Sequence, residues 1–201
     1  MQHKKDAPLR SDAQRNRERI LEVALTELTL RPDAPLSAIA KQAGVGQGTF
    51  YRNFPNRESL VLEIYRHEMH QVAESAAQLL EQLPPAQALR AWMDRLAEFA
   101  MTKAGLADAI RLATSTPGSP EKPKPTHTPV TEAAELLLRA NDAVGAIRPG
   151  MTPDDLVLAI GGLWQLAPTD DWRPRATRLL DLVMDGLRAG APGADGRPRP
   201  S

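Results

Sequence analysis

The segment over residues 36–54 constrains the fold most, because it places two short apolar patterns on either side of a glycine turn. Gly44 falls where the first pattern ends, and glycine readily adopts the left-handed conformation that favours the end of a helix. The apolar positions recur at the spacing by which two short helices pack across a tight turn. The pattern predicts a helix-turn-helix, whose second helix fits the DNA major groove. The apolar positions are Ile39, Ala40, Val45 and Phe50.

The rest of the chain also carries helical rather than strand patterns. β-Branched and aromatic residues never alternate over a useful length, whereas Leu, Ala, Arg and Glu recur at helical spacing. We therefore predict an all-α fold, with an N-terminal three-helix helix-turn-helix DNA-binding domain followed by a helical regulatory and dimerisation domain. The predicted segments are a disordered basic arm over 1–10, the DNA-binding domain over 11–56, the effector-binding and dimerisation domain over 57–189 and a disordered tail over 190–201.

Capping residues, prolines and glycines predict the helix boundaries. Ser11 or Asp12 caps a first helix that runs to about Leu30, and Asn56 caps a long helix that runs to Gln82. Four prolines mark residues 115–125 as a loop. The other predicted helices cover about 36–43, 47–54, 86–103, 105–114, 126–145, 153–166 and 172–189.

Charge is unevenly distributed, although the formal net charge of the 201 residues is zero. Residues 1–57 hold ten Lys or Arg and six Asp or Glu, which gives this part a net charge of +4. A basic head on an acidic body is expected when only one end meets phosphates. The chain has no cysteine, no apolar run long enough for a membrane span and no apolar signal-peptide core, so we expect a cytoplasmic protein without a membrane partner.

Two stretches resemble the DNA-binding segment of the TetR family of regulators. One is the run AGVGQGTFYRNFPNRESL at 43–60, and the other is the stripe RILEVA at 19–24. Order, spacing and residue types agree over about residues 15–65. Pro35 departs from the family pattern, because many members place there a Thr that contacts a phosphate. The resemblance implies a one-component transcriptional regulator that binds a double-stranded operator, and a repressor, since the family mostly represses.

The predicted DNA contacts lie in and just after the second helix of the motif. Gly46 and Gly48 permit close approach of the backbone to a phosphate. Gln47 can pair with adenine in the major groove, although a solvated glutamine is the alternative. Phe50 and Phe54 are expected in the core instead. The full set, which adds hydroxyl, amide and guanidinium groups suited to phosphates or base edges, is Gly46, Gln47, Gly48, Thr49, Tyr51, Arg52, Asn53 and Arg57.

The C-terminal half resembles the SbtR-like members of the same family in actinobacteria, at residues 102–106, 154–156, 161–163 and 182–187. This resemblance implies an effector cavity among the middle helices and dimerisation through the last two. The residues themselves favour a homodimer, because each of the last two helices carries an apolar stripe that can meet its symmetry mate in a four-helix bundle. Ordinary intrachain core is the alternative. The predicted interface residues are Leu156, Ile160, Leu163, Leu179, Val183 and Leu187.

A small apolar or aromatic effector is predicted to bind between the middle helices. Trp92 and Phe99 are seven residues apart on one helix face with Leu96 between them, and Arg111 and His127 can supply polar contacts. An effector that favours a conformation unsuited to the operator lowers operator affinity by at most the difference between its own affinities for the two conformations. The long helix is proposed to connect the effector site to the DNA-binding domain. The alternative is a constitutive DNA binder whose second domain only dimerises.

Other classes of function fit the residues less well. Glu63, His67, His70 and Glu74 share one face of the long helix, but apolar residues occupy the opposite face, so we expect a solvated face and no metal site. We expect no cofactor and no enzyme, because neither a Gly-rich phosphate loop nor a catalytic triad or paired-carboxylate pattern occurs. A helical protein-interaction adaptor is the main alternative, and salt-dependent DNA binding distinguishes the two.

Overall fold

The computed structural model describes residues 6–31, 33–102, 106, 128–166 and 171–192. These ranges form eight α-helices, one 3₁₀ segment and no strand, which confirms the predicted all-α class. The helices are α1 (Asp6–Leu30), α2 (Leu36–Gln42), α3 (Gln47–Asn53), α4 (Arg57–Gln82), α5 (Pro85–Thr102), α6 (Pro129–Ala143), α7 (Pro153–Ile160) and α8 (Trp172–Arg188), with the 3₁₀ segment at Gly161–Gln165.

The first helix begins earlier than the capping pattern predicted. α1 starts at Asp6, so Ser11 and Asp12 lie inside the helix and the predicted arm is corrected from residue 6 onward. Pro8 does not prevent this start, because it falls in the first turn, where backbone N–H groups have no intrahelical acceptor in any case. Residues 1–5 lie outside the described part of the chain, as do residues 193–201 of the predicted tail.

The predicted helix over 153–166 is divided into α7 and the 3₁₀ segment. A capping box begins α7: the Thr152 hydroxyl accepts from the Asp155 N–H at 3.2 Å, and the Asp155 carboxylate accepts from the Thr152 N–H at 3.1 Å. Hydrogen bonding from Thr152 holds the pKa of Asp155 below its ordinary value. The α-helix ends at two consecutive glycines, Gly161 and Gly162, whose low helix propensity accounts for the change. The predicted helix over 105–114 lies outside the described residues apart from Leu106.

The chain forms two compact units, and α4 contributes to both. Among the described residues, the first contains 6–31, 33–67 and 106, and the second contains 68–102, 128–166 and 171–192. The division falls within α4 rather than at residue 56, because Leu60, Val61 and Ile64 are buried in the core of the first unit. That core also contains Ile20, Leu21, Ala24, Leu28, Ala34, Ile39, Ala40, Ala43, Phe50, Phe54 and Leu106.

The core of the second unit is built around α5. Its buried apolar residues pack against α6, the 3₁₀ segment and α8. Arg90 of α5 also pairs with Asp181 of α8 at 3.0 Å and with Asp94. Burial lowers the pKa of Arg90, but hydrogen bonds to Asp94 and Asp181 outweigh it and raise the pKa above its ordinary value. None of the described helices is both long and apolar enough to cross a membrane.

Candidate nucleic-acid interface

The turn between α2 and α3 is closed by backbone hydrogen bonds around Gly44. The Val45 N–H donates to the Ala40 carbonyl at 3.0 Å, and the Gly44 N–H donates to the Lys41 carbonyl at 3.1 Å. Gly44 has φ of +68°, the left-handed conformation that this arrangement, a Schellman motif, requires. The turn therefore fixes where α3 begins relative to α2.

The inner face of α3 is held by aromatic packing. Phe50 and Phe54 are fully buried, and their ring centroids are 5.6 Å apart. Ile39 and Ala40 of α2 are buried in the same core. These positions confirm that the two phenylalanines are core residues and leave the opposite face of α3 to solvent.

The outer face of α3 brings together seven of the eight predicted DNA contacts. Tyr51 packs edge-on against Phe50 with the centroids 5.7 Å apart. Two side chains bond back to Thr49: Arg52 Nη2 donates to its hydroxyl at 3.1 Å, and Asn53 Nδ2 donates to its backbone carbonyl at 2.8 Å. The exposed members of this face are Gly46, Gln47, Gly48, Tyr51, Arg52 and Asn53, and Thr49 is half-buried.

Gly46 and Gly48 have no internal reason to be glycine. Apart from its two chain neighbours and the backbone of its own helix, a Cβ atom built at either position meets no atom of the described chain within 4 Å. Gly46, the N-cap of α3, has φ of −62°, which any residue adopts, and positive φ does not occur at Gly48 either. The space beside these two residues is therefore open toward the outside of the molecule.

Arg57, the eighth predicted contact, lies in the first turn of α4. Its Nη2 donates to the backbone carbonyl of Ala34 in the loop between α1 and α2. Asn56 caps α4 as predicted, because its Oδ1 accepts from the Ser59 N–H at 2.8 Å. The contact of Arg57 with a phosphate stays a prediction.

Two acidic residues that the sequence patterns did not reveal tie α1 to the motif. Glu27 is buried, and hydrogen bonds from Gln42 of α2 and from Arg31 hold its pKa below its ordinary value. Glu63 of α4 accepts from Arg17 of α1 at 2.6 Å. Glu27 and Arg31 are four residues apart on one helix, but no local pattern indicates the other two pairs, since Gln42 lies on a different helix from Glu27 and Arg17 is 46 residues from Glu63 in the sequence.

The face with four His and Glu residues is only partly solvated, because Glu63 and His67 are half-buried while His70 and Glu74 are exposed. Glu63 is paired with Arg17 and Arg66, and His70 lies 3.1 Å from Glu74. Among the described residues, no group of three or more His, Asp or Glu side chains is placed to hold a metal ion.

The predicted effector contacts that the structure describes are core residues of the second unit. Trp92, Leu96 and Phe99 are all buried, and the Trp92 indole N–H donates to the Val72 carbonyl at 3.0 Å. Arg111 and His127 lie outside the described residues. An effector site at these positions stays a prediction.

The predicted dimer interface needs correction. Leu156, Ile160, Leu163 and Leu187 are buried in the core of a single chain and cannot also cover a second copy. The reason is that the main apolar face of α7 packs against α6 of the same molecule, and that of α8 packs against α5. Leu179 is 39% exposed and Val183 is half-buried, so these two remain compatible with an interface. The most exposed large apolar residues on these two helices were not predicted; they are Leu158 at 78% and Leu182 at 69%.

The geometry defines a helix-turn-helix DNA-binding protein with a helical second unit. Residues 20–64 match the family model of bacterial regulatory proteins of the tetR family, and residues 84–189 match the SbtR-like C-terminal domain of transcriptional regulators. The chain belongs to the TetR family of transcriptional regulators, which is not a class of enzymes. It is a sequence-specific DNA-binding regulator.

Known relatives include two solved structures. A TetR transcriptional regulator from Streptomyces coelicolor is 41% identical, with 86% of this chain and 98% of that one aligned and a TM-score of 0.71. A TetR transcription regulatory protein from Mycobacterium vanbaalenii is 27% identical, with 90% and 99% aligned and a TM-score of 0.66. The HTH-type transcriptional repressor LfrR of Mycolicibacterium smegmatis is 38% identical over 63 residues, which are 31% of this chain and 33% of that repressor. The matched part thus spans about a third of that curated relative.

Proposed function

We propose that this regulator is a ligand-responsive repressor that binds a near-palindromic operator as a homodimer in the cytoplasm. The observation that carries the proposal is the division of α3 into two faces. Phe50 and Phe54 anchor one face in the core, while Gly46, Gln47 and Gly48 are exposed at the end that enters a major groove. Similarity to a repressor supports repression over activation.

Base recognition is assigned to Gln47, whose exposed amide can pair with adenine in the major groove. Tyr51 and Arg52 are suited to phosphates on either side of the groove. The Thr49 hydroxyl accepts from Arg52, so its own hydrogen stays available for a phosphate oxygen. Asn53 is the weakest candidate, because one of its two amide N–H groups is already bonded within α3.

The glycines of α3 support a close approach of DNA to the backbone. Gly48 lies in the first turn of α3, and a glycine within a helix costs up to about 1 kcal/mol relative to alanine. Since neither the backbone conformation nor the packing of the described chain requires Gly48, this cost has no internal compensation. We attribute the presence of Gly48 to the sugar-phosphate backbone of the operator, which in the complex leaves no room for a side chain at this position.

A second copy of the chain is the proposed partner of the outer face of α7 and α8. Leu158, Leu179 and Leu182 are exposed large apolar residues on these two helices, and such groups mark interaction surfaces. One recognition helix reads too few bases for specificity, so a palindromic site needs two copies related by a two-fold axis.

The charges of α8 favour an antiparallel pairing of the two copies. Arg175 and Arg178 lie in its first half and Asp185 lies in its second half, all exposed, whereas Asp181 is already paired with Arg90 of α5. An antiparallel arrangement places Arg178 opposite Asp185 of the partner helix, whereas a parallel arrangement places each of these charges beside its own copy. We therefore assign Arg178 of one copy to the neighbourhood of Asp185 of the other.

A small apolar or aromatic molecule is the proposed ligand of the second unit, at Trp92, Leu96 and Phe99. Because these side chains are buried, the ligand must displace core packing as it enters, and it binds a conformation other than the one described. Its effect on operator affinity equals its preference for that conformation. Helix α4 is continuous between the two units and supplies the connection.

Selection from genomic DNA tests the regulator function. Purified full-length protein is mixed with sheared genomic fragments and competitor DNA, and the bound fragments are sequenced and titrated with salt. We expect one near-palindromic site close to the gene or its neighbours, with an affinity that falls steeply as salt rises. Recovery of no fragment above the competitor background contradicts the proposal.

A screen for molecules that release this site tests the effector assignment. Each releasing compound is titrated against the unmodified protein, Trp92→Phe and Leu96→Ala, with Trp172→Phe as the matched control. We expect the first two variants to shift the half-effective concentration and the control to leave it unchanged. Equal responses in all four proteins contradict the assignment.

A further inference from the structure

We propose that Arg17 is a positioning residue that fixes the recognition helix α3 against α4, so that operator specificity depends on a side chain that does not touch DNA. This inference rests on the operator binding proposed above and is independent of the effector and of the dimer face. It assigns to α1 a part in sequence recognition.

The guanidinium of Arg17 contacts two elements that are distant in the sequence. Its Nη2 lies 2.6 Å from Glu63 Oε2 of α4, and its Cζ lies 5.0 Å from the centre of the Phe54 ring. Phe54 caps the C-terminal end of α3, where its N–H donates to the Phe50 carbonyl at 2.8 Å. A cation over an aromatic face and a charged hydrogen bond thus meet on one side chain of α1.

Glu63 is held from two sides. Oε1 accepts from Arg66 of the same helix at 2.8 Å, while Oε2 accepts from Arg17. The side chains of Arg17 and Glu63 are both about two-thirds or more buried, so their attraction is screened by salt less than that of an exposed pair. Loss of Arg17 leaves Glu63 with a partner on its own helix and removes the link from α4 to α1 and to the end of α3.

The position of this link explains why it would affect specificity. α3 has seven residues and is about 10 Å long. Phe54 lies at one end and Gln47 at the other, so a tilt at Phe54 displaces the residue assigned to base pairing. Contacts with base edges carry the sequence information and need a defined geometry, whereas attraction to phosphates does not depend on the sequence. Specific binding should therefore fall more than non-specific binding.

The test compares Arg17→Met and Glu63→Gln on two duplexes. One contains the site recovered by genomic selection, and the other has a random sequence of equal length. We expect both variants to lose about tenfold in affinity for the site, the loss typical of one disturbed base contact, with a much smaller change for the random duplex. Glu63→Gln is informative because it removes a negative charge, which by itself would strengthen binding to DNA.

Four further variants separate positioning from other roles. Arg66→Met removes the other partner of Glu63 and should keep the ratio of specific to non-specific affinity. Arg17→Lys keeps the charge and should restore part of that ratio. The double charge reversal, Arg17→Glu with Glu63→Arg, should recover more of it than Arg17→Glu alone. Affinities are compared at a temperature where the helicity of each variant equals that of the unmodified protein.

Two results would overturn the inference. If Arg17→Met lowers the salt dependence by about one unit and weakens both duplexes alike, then Arg17 contacts a phosphate directly. If Arg66→Met reduces specificity as much as Arg17→Met does, the contact between Glu63 and α1 is not what determines operator specificity. If the unmodified protein selects no site at all, the proposed function itself is contradicted. This outcome differs from the two results above, which contradict only the role of Arg17.

Discussion

Arg57 donates a hydrogen bond from its guanidinium to the backbone carbonyl of Ala34, which ties the first turn of α4 to the loop between α1 and α2. Ala34 is buried, so few other donors can reach this carbonyl. The sequence indicated a phosphate contact for Arg57, and the structure adds an internal one. The two roles predict different consequences of its removal.

Replacement of Arg57 by alanine should lower both stability and DNA binding. The buried carbonyl of Ala34 loses its charged donor, which should reduce the free energy of unfolding by about 1–2 kcal/mol. If Arg57 also contacts a phosphate, all DNA sequences weaken alike and the salt dependence falls by about one unit. Urea unfolding and salt titrations on two duplexes measure the two effects. An unchanged free energy of unfolding contradicts the internal role.

Gly48→Ala should stabilise the protein while it weakens operator binding. Alanine gains up to about 1 kcal/mol over glycine within a helix, and at Gly48, in the first turn of α3, its Cβ meets no atom of the described chain outside its neighbours and its own helix backbone. The same methyl group lies where we place the DNA backbone. Gly44→Ala is the contrasting control, because φ of +68° makes alanine strained and destabilising there. Thermal unfolding and operator titrations of both variants check this, and a Gly48→Ala protein that binds as tightly as the unmodified one refutes the close approach.

Local sequence patterns predicted the helix-turn-helix correctly, because its elements depend on nearby residues. Gly44 marks the turn, and the spacing of Ile39, Ala40 and Phe50 determines the buried side. The start of α1 was misplaced because Ser11 and Asp12 are typical N-cap residues but lie inside the helix, which begins at Asp6. Short-range rules therefore describe the candidate DNA interface well.

Long-range relationships could not be predicted in the same way. The periodicity of α7 and α8 identifies their apolar faces but not whether the same chain or a second copy covers them, which is why Leu156 and Leu187 were assigned to the interface. The pair of Arg17 with Glu63 depends on how α1 and α4 pack, and neither residue belongs to a motif. The same holds for Glu27 with Gln42.

The proposed dimer face predicts opposite outcomes for two leucines. Leu182→Glu should yield a folded monomer, because Leu182 is largely exposed in the single chain. Leu163→Glu should unfold the second unit, because an unpaired charge at a buried position costs several kcal/mol. Light scattering and circular dichroism check this, with 21.9 kDa as the mass of one chain. A Leu182→Glu protein that still has twice this mass contradicts the proposed face.

The antiparallel arrangement of that dimer can be tested by exchange of charges. Arg178→Glu and Asp185→Arg should each weaken the homodimer, since each places like charges together at two symmetry-related points. A mixture of the two variants should form a heterodimer, in which every pair is of opposite sign. Arg188→Glu mixed with Asp185→Arg is the control, and equal recovery in that mixture refutes the pairing of Arg178 with Asp185.

Glu63 predicts a pH dependence of stability. Burial raises the pKa of Glu63, but hydrogen bonds from Arg66 and Arg17 outweigh it and hold the pKa below its ordinary value. Glu63 therefore stabilises the fold fully above its unfolded pKa, and this contribution is lost as the pH falls through the lower folded value. We expect the free energy of unfolding of the unmodified protein to exceed that of Glu63→Gln near pH 7 and to equal it below about pH 4. Glu22→Gln, an exposed change on α1, is the control; a constant difference across the range contradicts the prediction.

Footprinting of the selected site with the unmodified protein and with Gln47→Ala tests the central claim, that α3 reads DNA in a two-fold arrangement. We predict two protected half-sites about one helical turn or more apart. Gln47→Ala should keep the same protected backbone and tolerate substitutions at one or two base pairs in each half-site, with a loss of discrimination of about 1–3 kcal/mol there. A single asymmetric footprint, or discrimination that Gln47→Ala leaves unchanged at every position, would contradict the claim.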